Sequence, residues 1–108
     1  MTNNLVRLIG YIGKDLSATT VSTGKRRLQL CVATHYPAIQ KDGTKIYHTV
    51  WHDVIAWGKT AEYAERSFVK GSKVMVEGAI EYCTYPDQTG HIRYTARVAA
   101  HSLVNLDR

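Results

Sequence analysis

Phenylalanine occurs once in this chain of 108 residues, and proline and cysteine twice each. No apolar run approaches the ~18 residues a membrane-spanning helix requires. With no stretch rich in Pro, Ser or Gly, nothing reads as an interdomain linker, and the length suits a single domain spanning residues 1–108. Cys31 and Cys83 stand 52 positions apart without a CxxC partner. That excludes a disulfide scaffold or a zinc ribbon and predicts free thiols in a reducing compartment. The stretch Met1 to Leu5 lacks a charged region followed by an apolar one, so no secretory signal and a cytoplasmic location are expected. Acidic residues are in deficit: 9 Asp+Glu against 14 Lys+Arg leave a net charge of +5 and point to an anionic partner. At 44% apolar and 21% charged, the composition excludes a disordered or collagen-like chain.

What is present is period-two alternation in short runs, the signature of half-buried strands. From Asn4 to Ile12, Val6, Leu8, Gly10 and Ile12 share one face. From Arg26 to Thr34, Leu28, Leu30 and Val32 alternate with Arg27, Gln29 and Cys31. From Thr49 to Trp57, a core face of Val50, His52, Val54 and Ala56 opposes Trp51, Asp53, Ile55 and Trp57. Val74 to Tyr82 and Ile92 to Leu103 complete five strands. One segment breaks the pattern: Thr60 to Lys70 places Ala61, Ala64 and Phe68 at helical spacing, with Thr60 as N-cap and Gly71 as the glycine past the end. Five antiparallel strands with a short helix between the third and fourth predict an all-β OB-fold barrel, although an SH3-like barrel also has five strands. Tyr36 to Tyr47 reads as a long loop, and Cys83 to His91 as a hairpin tip.

Catalytic signals are missing. There is no GxSxG, no cysteine adjacent to a histidine and no phosphate-cradling glycine loop, and the acids Asp15, Asp53, Glu77, Glu81 and Asp87 are scattered singly. His48 and His52 have the four-residue spacing of helical zinc ligands, but on a strand they lie ~13 Å apart, too far to share an ion. Neither a metal nor another cofactor is expected.

Aromatic residues interleaved with basic ones are the richer signal. Trp51 and Trp57 share a strand face whose opposite side already supplies the core. They either pack against a subunit or the helix, or stand free as a platform on which unpaired bases stack. Tyr36, Tyr47, Tyr82, Tyr85 and Tyr94 border the two long connections, with Lys41, Lys45, Lys59, Lys70 and Arg93 around them. Within Lys25-Arg26-Arg27, Arg27 is the residue placed to join the platform, since it shares a face with Gln29 and Cys31.

These segments resemble the bacterial single-stranded DNA-binding protein family over nearly the whole chain. The similarity lies in NLVRLIGYIGKD at the start, Val32 to Thr34, WHDVIAWGKTAE from Trp51, KGSKVMVEG from Lys70, and DQTGHIRYT from Asp87. The resemblance implies an OB-fold subunit, assembled as a homotetramer, that binds and protects single-stranded DNA without sequence preference in replication, recombination and repair. It implies base stacking at Trp51, Trp57 and Tyr85, phosphate contacts at Lys59 and Lys70, and a subunit contact at His52. Tyr36 stands nearest to a further family tryptophan.

Asp53, Glu81 and Cys83 depart from the family, which often carries basic residues there. Family members also continue into a linker and an acidic tip that recruits other proteins. This chain ends at Arg108, so tail-mediated partners are not expected of it, and part of its net positive charge reflects the missing acids. Three other readings stay open: a primosomal-type OB-fold dimer, a metal-dependent barrel nuclease using Asp53, and a module that docks a polypeptide on its aromatic face.

Overall fold

A computed structural model describes residues 3–107. The chain runs β1 (Val6–Ile12), β2 (Ser17–Thr20), β3 (Arg26–Ile39), β4 (Lys45–Trp57), α1 (Gly58–Ser67), β5 (Lys73–Pro86) and β6 (Ile92–Asn105). Strand order is β1-β5-β6-β4-β3-β2, and β1 also pairs with β3, which closes the sheet into a barrel. The expected all-β barrel is therefore present. One strand is additional: Ser17–Thr20 pairs with Arg26 to Gln29 and forms a short rim beside the barrel. In chain order the helix consequently follows the fourth strand.

The alternating residues bury as their period requires. Ile12, Leu28, Leu30, Val32, Val54, Ala56, Val74 and Val76 form the barrel interior, and Ala61, Ala64 and Phe68 close one end of it. The helix lies earlier than the Thr60 to Lys70 expected. It begins at Gly58 behind Trp57, which gives no side-chain cap, so Thr60 sits inside the first turn. It ends at Ser67 because Phe68 turns extended to enter the core, its N–H still donating to the Ala64 carbonyl at 3.0 Å. Gly71, at φ +96°, serves the turn into β5, and its N–H donates to the Ile12 carbonyl at 2.8 Å.

Both long hairpins reach past the barrel as two-stranded arms. Pairing of β3 with β4 is unbroken from Arg27↔Trp57 to Ile39↔Lys45, so the loop expected over Tyr36 to Tyr47 is mostly strand. Its β-branched and aromatic residues favour extended backbone. Pro37 is tolerated because β3 has a free edge there, beyond its pairings with β1 and β2. Val50, expected in the core, lies in this arm opposite Thr34 and is 39% exposed.

The tip of the β5–β6 arm is tied by one carboxylate. Asp87 Oδ1 accepts from the Thr89 N–H, the Thr89 hydroxyl and the His91 N–H, and Oδ2 accepts from Arg93 Nε at 2.7 Å. These bonds, that from the Thr89 hydroxyl foremost and that from Arg93 next, pull the Asp87 pKa down from 3.8 to about 2.

Two outcomes follow from these packing relations. A side chain at Gly10 would place its Cβ 2.2 Å from the Ala33 carbonyl oxygen, where β1 meets β3. Gly10→Ala is expected to lower unfolding free energy by about 2 kcal/mol, read as a reduced urea midpoint at constant m. Because the folded pKa of Asp87 is depressed, its contribution is complete above about pH 4 and disappears as pH falls through about 2. Amide resonances of Thr89 and His91 should titrate near pH 2; a midpoint near 4 would show that the tip network does not form.

Candidate nucleic-acid interface

The unbroken β3–β4 register decides which side chains share a face. Arg27↔Trp57, Gln29↔Ile55, Cys31↔Asp53 and Ala33↔Trp51 are direct cross-strand neighbours on the side away from the barrel interior. Trp51 is 57% exposed, and its six-membered ring lies on Gly13, where a Cβ would come within 2.1 Å of Cζ3. The ring is thus held from one side by backbone that carries no side chain. Ile55 on the same face is buried, so the two tryptophans stand as separate stations about 20 Å apart along the strand.

Trp57 is half-buried, with Lys25 Nζ 5.7 Å and the Arg27 guanidinium 5.9 Å from its ring centre. Cation–π attraction holds both charges over the indole, so this station is cationic as well as aromatic. Lys59, exposed in the first turn of α1, lies two residues beyond Trp57. Lys70 is exposed in the turn whose Gly71 bonds to Ile12, which places it toward the Gly13 and Trp51 end. Arg26, between two candidate cations, is committed elsewhere: Nε and Nη2 bind Glu65 of α1 at 2.6 and 2.9 Å. The Glu65 hydrogen bond raises the Arg26 pKa, and the reciprocal bond lowers that of Glu65.

The remaining expected residues are distributed over other surfaces. Tyr36 is half exposed and stacks on His48 with ring centres 5.2 Å apart. Its register puts it on the opposite face of the β3–β4 arm from the tryptophans. Tyr85 is exposed near the tip of the other arm, directly across from Arg93, whose charge is already engaged by Asp87. His52 is half-buried, faces away from the tryptophan side and shares a 2.9 Å hydrogen bond with the Thr34 hydroxyl. Burial lowers its pKa, which favours the neutral ring. Among the described residues no group of three His, Cys, Asp or Glu side chains could hold a metal ion.

The two arms meet in a groove. β4 and β6 pair only at Val54↔Val98 and Ile55↔Ala99 and then separate. The space between them, about 330 Å³, is lined by Trp51, Asp53, Thr95 and Arg97, among others. Arg97 Nε donates to Glu81 Oε1 at 2.6 Å. Arg93, Thr95 and Arg97 lie on one face of the arm with Tyr85, so the groove continues as a single surface toward that ring.

Two participants were not legible from the sequence. Lys25 reads as part of a solvated turn, and only its position over Trp57 makes it part of this surface. Gly13 reads as a turn glycine; its role as the seat of Trp51 needs the β1 end brought beside β4. Alternation puts Arg27 with Gln29 and Cys31 and Trp57 with Trp51, each on its own strand; the pairing of Arg27 with Trp57 comes from the cross-strand register.

Comparisons with known proteins agree with this fold. The sequence matches the model of the Single-strand binding protein family over residues 3–106. A single-stranded DNA-binding protein of Xanthomonas axonopodis pv. citri is 32% identical over 100 residues, covering 93% of this chain and 56% of that protein. Single-stranded DNA-binding protein 1 of Xylella fastidiosa is 33% identical over 106 residues, covering 97% of this chain and 78% of that one. The chain thus spans little more than half the length of the first of these relatives. In fold it matches the single-stranded DNA-binding protein of Plasmodium falciparum, solved as a complex with single-stranded DNA, at TM-score 0.88 and 17% identity, over 99% of this chain and 97% of that one. A deletion mutant of the Thermus aquaticus protein gives TM-score 0.82 at 24% identity, over 96% of this chain and 50% of that one. With a family match spanning nearly all of its length and an OB-fold barrel in its structure, the chain belongs to the Single-strand binding protein family.

Proposed function

We propose that the protein binds and protects single-stranded DNA, without catalysis, by stacking bases on exposed rings and neutralising phosphates with flanking cations. The observation that carries this reading is the pairing of an open ring, Trp51 on Gly13, with a ring clothed in cations, Trp57 under Lys25 and Arg27. Trp51 and Tyr85 act as stacking stations. Trp57 is a third stacking station, and Arg27, Lys59 and Lys70 form a phosphate-binding track beside the rings, which Arg93 joins when its bond to Asp87 yields. Tyr36 stands apart on the reverse of its arm and contacts a strand only if the DNA wraps around it. Stacking is indifferent to base identity at roughly 1–3 kcal/mol per base, and the cations make binding depend on salt. Work in replication, recombination and repair, and a cytoplasmic, nucleoid-associated location, accompany this reading.

Self-association is its second part, as a homotetramer or, failing that, a dimer. Support comes from an apolar row across the outside of the barrel: Ile9 on β1, Met75 on β5 and Val104 on β6 are aligned in register. Ile9 is 55% exposed, with exposed Leu5 and Tyr11 beside it. Such a row costs free energy in water and gains by packing against a second copy. His52 belongs to the same proposal as a further contact between copies, its pKa lowered by burial.

Titration with dT oligomers tests the first part. Tryptophan fluorescence should be quenched, Trp51→Ala should weaken binding about tenfold or more, and Arg27→Ala should reduce the log–log salt slope by about 0.7. Unchanged emission with salt-independent affinity would refute the reading. Light scattering tests the second part: Ile9→Lys is expected to lower the solution mass, and a wild-type monomer would remove that proposal.

A further inference from the structure

The charges around Trp51 are mixed, with Lys70 toward its Gly13 end and acids on its groove side, whereas Trp57 lies under two cations. In the groove between β4 and β6, the Arg97 guanidinium is already bound by Glu81. Asp53, exposed on the same face as Trp51, is engaged by no hydrogen bond or ion pair among the described residues. On its other side it borders a smaller groove of about 240 Å³ containing Lys14 and Asp15, whose charges offset one another. Asp53, Glu81 and Arg97 together leave this slot net negative. A phosphate is repelled from such a place, whereas a neutral base is not.

Trp51 and Asp53 lie two residues apart on one strand face, about 7 Å, so a base stacked on the ring presents its edge toward the carboxylate. An ionised carboxylate can only accept, so it selects edges that donate. Cytosine, adenine and guanine carry exocyclic amines. Uracil and thymine carry a keto oxygen at the position of the cytosine amine, and their one ring N–H sits between two carbonyl oxygens that a carboxylate repels.

We propose that the groove beside Trp51 is a base-reading subsite, in which Asp53 accepts a hydrogen bond from the exocyclic amine of the base stacked there. This rests on the DNA-binding reading above and adds a chemical preference at one position along an otherwise indifferent strand. Asp53 is a specificity determinant, and the rest of the track holds the backbone without regard to base.

Cytosine and uracil isolate the effect, because their rings are matched in size and differ only at one edge, in amine and bare ring nitrogen against keto oxygen and ring N–H. Oligomers of dC and dU of equal length, titrated against the full chain at one salt concentration, should differ about fivefold in affinity in favour of dC, the scale of one exposed charge-assisted hydrogen bond. Asp53→Ala removes both the acceptor that favours the amine and the charge that repels the keto oxygen, so dU should bind more tightly relative to dC and the ratio should fall to one. Asp53→Asn should also abolish the ratio, since an amide can accept from the amine or donate to the keto oxygen. Equal affinities in the wild type, or a dC preference that survives both substitutions, would overturn the proposal while leaving DNA binding intact. Failure of both oligomers to bind the wild type would instead overturn the DNA-binding reading and this inference with it.

Discussion

The structure depends on β1 pairing with two strands at once. Its residues from Val6 to Tyr11 bond to β5, and Tyr11 and Ile12 also bond to β3. That double engagement turns an open sheet into a barrel and leaves the interior strands without free edges. It requires backbone to approach backbone where Gly10 meets Ala33, and only a residue without Cβ allows the distance. The same closure brings Gly13 beneath Trp51 and the Lys70–Gly71 turn against Ile12, so half of the candidate interface is assembled as a by-product of closing the barrel.

Charge is distributed by a similar economy. Four arginines, Arg7, Arg26, Arg93 and Arg97, are held by acids through planar, directional contacts. All four pairs are partly exposed, so each adds little to stability, yet each orients a side chain and cancels a charge. The net +5 is therefore expressed mainly by lysines, together with Arg27 and Arg66 among the described arginines. Lysine is a point charge on a flexible stem, suited to following a phosphate backbone whose position varies. The arginines, with their fixed forks, are used to tie strand to strand and helix to barrel.

Much of the fold was legible. Alternation over Arg27 to Val32 and over Val54 to Trp57 reported the core side correctly, because a strand flanked by the barrel interior on one face buries its apolar residues there; Ile55, buried on the opposite face, is the exception. Alternation was less informative at Val50 and Tyr36. The same period continues there, but the strands have left the barrel and the face that would be interior looks onto solvent. The helix limits were misplaced for a related reason. Thr60 and Gly71 are good capping residues by local chemistry, but the burial of Phe68 and the needs of the turn into β5 decided where the helix stops.

The sequence by itself determined the all-β barrel, the presence of one short helix, and the family, since each follows from local period, turn chemistry and ordered motifs. It also placed Trp51 and Trp57 opposite the core, because alternation is a property of the backbone alone. Tertiary structure decided what each ring does. Contacts between residues far apart in the chain set Trp51 on Gly13, brought Lys25 over Trp57, turned Tyr36 to the reverse of its arm, and left Asp53 unpaired beside a groove. Those relations arise from barrel closure and cross-strand register, and no local pattern encodes them.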